Sequence, residues 1–194
     1  MLLGGRIIVA DDILPERKMI VETLSRAGYQ ISAETTGMNH TFRRTRALYC
    51  DLVIVDSGLE GGKGLKTASI ISEDQLAAVL LLVDREVFPP TYQFHYLMKP
   101  LNQDILIPAV ESALMYWRRE LELREEIKKL KETLQTRKIL DKAKGLLIAQ
   151  MGMNEGEAHR WIQKEAMNRG QTLRQVAREI INNLPAGGDR LEKE

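Results

Sequence analysis

Four residues of this chain could do chemistry together if the fold gathers them: Asp11, Asp12, Asp56 and Lys99. Asp11 and Asp12 follow an apolar run of strand length at 6–10, Asp56 ends a second at 52–55, and Lys99 follows a weaker candidate at 95–98. If these strands lie parallel in one sheet, their carboxyl ends share one edge, where α/β proteins bind ligands. Three converging carboxylates are costly unless a cation neutralises them, and a hard divalent ion with oxygen ligands, Mg²⁺, suits the set. A carboxylate beside Mg²⁺ with an ammonium opposite can accept a phosphoryl group. The metal and Lys99 would stabilise the transferring oxygens, and Asp56 would be the nucleophile.

A second set of residues could bind rather than react. Over 137–184 there are nine Lys/Arg against five Asp/Glu, whereas the whole chain carries a net charge of only +1. Lys138, Lys142 and Gly145 fall on one face of a helix whose other face is apolar, through Leu140, Ala143, Leu147 and Met151. The glycine leaves a gap where a phosphate backbone could approach. Arg137 and Lys144 flank this lane, and Arg160, Lys164, Arg174 and Arg178 are further candidates from the next two helices. Contacts to phosphates would make binding salt-dependent. If the anionic partner were an RNA loop, stacking partners would be needed as well. His159 could serve, while Trp161 is assigned to the core with Ala158, Ile162 and Ala166.

The elements that must position these groups follow from periodicity. The runs at 6–10, 52–55 and 78–83 are continuously apolar, which suggests strands covered on both faces of a parallel sheet. Tyr29 to Ala33 and His95 to Met98 are weaker candidates, and Pro15 and Gly28 bracket a helix. Repeated βα units suggest a doubly wound α/β domain. From about Asn102 to Met151 the pattern is helical, with Pro108 bending or restarting it. Ala113, Tyr116, Glu120, Leu123, Ile127, Leu130 and Leu134 recur at spacings of 3, 4, 3, 4, 3, 4. Such a heptad seam fits a parallel two-stranded coil, with Leu123, Ile127, Leu130 and Leu134 as its dimer contacts. The alternative is one connector helix packed on its own domain. Two shorter helices complete the chain, 154–168 and 172–184, the first opened by a capping box of Asn154 and Glu157. Expected domains are 1–118, a coil linker at 119–136, a three-helix module at 137–185 and a disordered tail at 186–194.

A single cysteine, Cys50, excludes an internal disulfide and fits a reducing cytosol. No apolar run approaches a membrane span, and the first residues lack a signal-peptide layout, so a cytoplasmic protein is expected. His40, His95 and His159 form no ligand spacing, and no nucleophile–base pair stands out, so an enzyme is not expected.

Residues 5–118 resemble response-regulator receiver domains through Asp11-Asp12, Asp56-Ser57-Gly58-Leu59 with Gly64, and Tyr96-Leu97-Met98-Lys99-Pro100. The resemblance implies a flavodoxin-like five-stranded sheet, Asp56 as phosphoacceptor, Asp11, Asp12 and Asp56 as Mg²⁺ ligands, and Lys99 as the phosphoryl contact. It also implies Tyr96 as the switch aromatic, a cis bond before Pro100, and a sensor histidine kinase as partner. Three positions depart from the pattern. Val83 stands where a hydroxyl residue is usual, Asp84 where a small one is usual, and Glu60 replaces a Pro. Val83 cannot hydrogen-bond a phosphoryl oxygen, and Asp84 brings like charge near it. Two readings stand: a working phosphorylation switch, or a relic pocket that acts through protein contacts.

Residues 135–184 resemble the ANTAR domain of bacterial antiterminators. The match rests on Arg137, Lys142-Ala143-Lys144-Gly145, Leu147, Met151, Glu157-Ala158, Ala166-Met167, Leu173 and Val176-Ala177. The resemblance implies an RNA-binding output that captures hairpins in a nascent leader transcript and prevents termination, with dimerisation controlled by the receiver. A DNA-binding regulator is disfavoured, because the helix containing Gln171 to Ala177 is followed by Pro185 and a short tail, leaving no room for a recognition helix. A protein-interaction adaptor remains open.

Overall fold

The computed structural model describes residues 5–84 and 94–184. The chain divides into two compact units, Met1–Glu122 and Leu123–Glu194. The first contains five parallel strands: β1 (Arg6–Ala10), β2 (Gln30–Thr35), β3 (Leu52–Asp56), β4 (Ala78–Val83) and β5 (His95–Met98), in the spatial order β2-β1-β3-β4-β5. The crossovers are α1 (Leu14–Arg26), α2 (Met38–Leu48), and the short α3 (Leu59–Gly62) followed by α4 (Gly64–Glu73). This is the expected doubly wound sheet, with β2 running two residues beyond the expected Ala33.

Alternate residues of a strand point to opposite faces, and both faces are covered here. Ile7, Val9, Leu52, Ile54, Leu80 and Leu82 pack with Ile20 and Leu24 of α1 and with Leu106, Val110, Ala113 and Leu114. Ile8, Ala10, Val53, Val55, Leu81 and Val83 pack with Leu59, Ala68 and Ile71 on the other side. Burial on both faces is why these strands read as unbroken apolar runs. Cys50 is buried in the second cluster, and burial pushes its thiol up to about 12. Pro15 lies in the first turn of α1, where its missing N–H costs nothing, and Gly28 turns the chain out at φ 89°.

Helix α5 runs unbroken over Gln103–Met151, so Pro108, in its second turn, neither stops nor restarts it. The boundary between the units falls inside α5. Part of the expected seam belongs to the first unit: Ala113 is buried in its core, and the Tyr116 ring meets His95 edge-on with centroids 5.3 Å apart. Tyr116 is nonetheless 63% exposed, and from Leu123 onward the seam residues also stand out from their own unit. Leu123, Ile127, Leu130 and Leu134 are 41%, 49%, 57% and 58% exposed.

The second unit closes with α6 (Glu155–Arg169) and α7 (Leu173–Asn183). Both carry full capping boxes, Asn154 with Glu157 as expected and Thr172 with Gln175 in addition. Gly170 ends α6 in the left-handed conformation at φ 61°. Their core joins Ala143, Leu146 and Leu147 to Ala158, Ile162, Ala166, Val176, Ala177 and Ile180, with Leu140, Trp161 and Leu173 at its margin. Met151 was expected on this apolar face but is exposed, and Leu146 takes the inward position instead. Residues three or four apart share a broad helical face, so that spacing alone does not separate the two edges of the apolar stripe. No helix among the described residues is long and apolar enough to cross a membrane. The tail at 186–194 lies outside the described residues.

Candidate functional site

Strand order reverses between β1 and β3, and the acidic residues stand at the carboxyl ends of these two neighbours. Asp11, Asp12 and Asp56 each offer a carboxylate oxygen within 4.8 Å of the others. Asp11 and Asp56 are buried and Asp12 is exposed. Backbone N–H groups aim the carboxylates: Ile13 N donates to Asp11 Oδ1 at 2.7 Å, Gly58 N to Asp56 Oδ2 at 2.8 Å, and Glu60 N to Asp12 Oδ2 at 3.0 Å. Asp11 Oδ2 is buried with no hydrogen-bond partner among the described residues. Burial, and secondarily the neighbouring Asp56, hold the Asp11 carboxyl above the usual range despite the Ile13 N–H. An orphaned buried oxygen and two further carboxylates at this spacing suit an oxygen-seeking divalent ion.

Lys99 projects from the end of β5 and is nearly buried. Its Nζ lies 2.6 Å from Asp56 Oδ1 and 2.5 Å from Glu16 Oε2. Burial works against its charge, but the two carboxylates outweigh that and raise its pKa. Glu16 was missing from the residues expected at the site. Its signal was present, since a helix beginning at Leu14 keeps its first turn at the same sheet edge as Asp11. The peptide bond before Pro100 is cis. Gly64 lets α4 start against the end of β3: a Cβ there would sit 1.8 Å from the Asp56 carbonyl oxygen.

The departing positions have definite places. Val83 is buried, and its carbonyl accepts from Lys99 N at 2.9 Å. Asp84 is exposed and lines one cavity with Glu16 and Lys99. Tyr96 is 38% exposed, on an edge strand. Glu60 takes a left-handed conformation at φ 50°. Its carboxylate accepts from Met38 N at 2.8 Å, at the start of α2, and pairs with Lys63 at 2.9 Å. Because α2 has no side-chain cap of its own, Glu60 supplies that function from the neighbouring loop.

In the second unit the ANTAR domain profile matches residues 128–181. The transcriptional regulatory protein PdtaR of Mycobacterium tuberculosis is 32% identical over 185 residues, covering 92% of this chain and 90% of that protein. This chain belongs to the ANTAR family of response regulators. The aliphatic amidase regulator of Pseudomonas aeruginosa is 28% identical over 88 residues, 45% of each chain. The receiver fold recurs in the signal receiver domain of a modulated diguanylate cyclase from Desulfovibrio desulfuricans, with TM-score 0.55, 19% identity, and coverage of 60% of this chain and 98% of that one. PhyR from Brucella abortus has the same TM-score at 17% identity, covering 63% of this chain and 53% of its own.

The basic residues of the ANTAR module fall into groups that spacing alone had not separated. Lys138 and Lys142 of α5 and Arg178 of α7 line one groove with Ile139, Ile181 and Asn182. No acidic side chain lines it, and none of the three basic residues has an ion pair among the described residues. Gly145 lies one turn beyond Lys142, exposed, and a Cβ there would meet nothing within 4 Å. Arg137, Lys144, His159 and Arg174 line a second groove together with Glu132, Asp141 and Glu155. Lys144 is held within it, with Nζ 2.9 Å from Asp141 Oδ1 and 2.8 Å from Glu155 Oε1. Hydrogen bonds to Glu155 and Asp141 raise its pKa and lower theirs. Arg137 faces Asp141 at 4.0 Å, and Arg174 donates to Gln135 at 3.2 Å. Arg160 and Lys164 stand exposed on α6.

Proposed function

We propose that this response regulator is a cytoplasmic, signal-responsive transcription antiterminator that binds hairpins in nascent leader RNA through its ANTAR module. The observation that carries the reading is the groove of Lys138, Lys142 and Arg178, whose three cations are unneutralised and sit beside the open Gly145. A phosphate backbone needs that combination of free positive charge and close approach. Arg160 and Lys164 supply secondary charge from α6. Lys144 ties α5 to the start of α6, Arg174 ties α7 to α5, and Arg137 faces Asp141 on its own helix, so their contribution to RNA contact is smaller than the sequence suggested.

Two modules on one dimer would engage two hairpins, and linkage raises affinity through effective concentration. The exposed seam of Leu123, Ile127, Leu130 and Leu134 supports a two-stranded coil. Covering the exposed half of each side chain contributes about 1 kcal/mol. Eight such side chains in a dimer give a gain of the same order as the association cost of about 4–15 kcal/mol. The equilibrium is therefore poised, and a modest signal shifts it. Asp56 accepts the phosphoryl group from a sensor histidine kinase, Lys99 contacts the phosphoryl oxygens, and Asp11, Asp12 and Asp56 would hold Mg²⁺. Bound Mg²⁺ would supply charge neutralisation for the transfer.

The test is binding of the full chain to a pool of stem-loop RNAs with randomised loops, with duplex DNA as competitor, followed by transcription across a terminator preceded by selected hairpins. Selective RNA capture and increased read-through support the proposal. Preference for duplex DNA, or no nucleic-acid binding, would replace it with the DNA-binding or adaptor alternative.

A further inference from the structure

We propose that Glu16 is a positioning residue that restrains phosphoryl transfer to Asp56 by engaging the Lys99 ammonium. The inference rests on the acceptor role given to Asp56 above. Lys99 Nζ is shared between Asp56 Oδ1 at 2.6 Å and Glu16 Oε2 at 2.5 Å. Both contacts are short ion pairs at a lysine side chain only 12% exposed, and the one to Glu16 is a charge-assisted hydrogen bond, the strong class.

A transferring phosphoryl group must recruit the same ammonium. In the step, an Asp56 carboxylate oxygen attacks the phosphorus of an acyl phosphate, the bond from phosphorus to the acyl oxygen breaks, and the carboxylate leaves with the electron pair. No proton is exchanged. The negative charge that gathers on the phosphoryl oxygens needs Lys99, and Glu16 competes for it while placing a further negative charge beside the reacting atoms. Asp84 lines the same cavity, and Val83 offers no hydroxyl in compensation. These features act in one direction. The pocket has the acceptor and the ammonium, but part of the ammonium's field is already spent on α1.

The tether also has a route outward. Glu16 lies in the first turn of α1, so a Lys99 that turns to a phosphoryl group releases a link between β5 and α1. Such a release is a local, two-position event of the kind that biases a switch.

The experiment is labelling of the full chain by acetyl phosphate with Mg²⁺, followed on phosphate-affinity gels for wild type, E16Q, E16A and D56A. Glutamine keeps the shape and removes the charge. The expected result is labelling roughly three- to tenfold faster in E16Q and E16A than in wild type, with little change in half-saturating acetyl phosphate and none of it in D56A. A merely structural role for Glu16 would slow labelling instead. Labelling only in the Glu16 variants supports the restraint in its strongest form. Equal or slower Asp56-dependent labelling in E16Q and E16A overturns the inference and leaves the acceptor role standing. No Asp56-dependent labelling in any variant overturns both.

Discussion

The salt dependence of RNA binding is the most direct check on the groove. Lys138, Lys142 and Arg178 share it without an acidic neighbour, so each can replace a condensed counterion on an RNA phosphate. One such contact contributes a slope of about 0.7–0.9 in log affinity against log salt. Replacing all three by Gln should therefore flatten the slope by about 2–2.7. Between about 50 and 200 mM salt, a roughly fourfold change, wild type should lose roughly 20- to 40-fold more affinity than the triple variant. The side chains carry no ion pair that the fold depends on, so the variant should keep its helical circular dichroism. Fluorescence anisotropy with one selected stem-loop, titrated at several salt concentrations, reads the slope directly. Matching slopes for the two proteins would refute the assignment of phosphates to this groove. A control variant at Lys144 should behave differently. Its charge is already met by Asp141 and Glu155, so K144Q should loosen the contact between α5 and the start of α6 more than it changes the slope.

Other outcomes follow from the same structure. G145A replaces an exposed helical glycine whose added Cβ meets nothing, so the module should gain about 1 kcal/mol by thermal unfolding. If RNA approaches closely there, G145L should lose stem-loop affinity while remaining folded; unchanged affinity would move the contact elsewhere. I127N with L130N should shift the full chain toward monomer in sedimentation velocity, since both residues lie in the exposed seam, and an unaltered dimer would place the interface on another face. G64A sets a Cβ 1.8 Å from the Asp56 carbonyl and should cost about 3 kcal/mol, with loss of Mg²⁺-dependent signals. Cys50 should be nearly inert to iodoacetamide at about pH 8 in the native protein. With its thiol pushed up to about 12 from an ordinary 9.0, the thiolate fraction falls roughly a thousandfold. The sign extends to stability: above the unfolded thiol's pKa the unfolded chain ionises first, so Cys50 disfavours the native state as pH rises from about 9 to about 12. Rapid native alkylation would contradict its burial.

Much of the fold was legible because it rests on local pattern. Unbroken apolar runs identified the parallel strands, Asn154 and Glu157 the start of α6, and Gly170 its end. The receiver pocket was legible for a related reason. Parallel strands place their carboxyl ends on one edge, so Asp11, Asp12, Asp56 and Lys99 converge wherever the sheet forms. The heptad was visible too, but not the point at which it ceases to serve its own core. Ala113 is consumed by the receiver, whereas Tyr116, although its ring meets His95, remains exposed like Leu123 and beyond.

Residue type and spacing by themselves determined which groups this protein has available: an acidic edge, one lysine facing it, and a basic stripe on a helix. Only the tertiary structure decided which of those charges are already spent. Glu16 meets Lys99 across 83 positions of sequence, Glu60 caps α2 from 22 positions away, and Glu155 closes on Lys144 around a turn. Coulomb attraction depends on distance through space and on local desolvation, and neither is written in the order of residues along the chain.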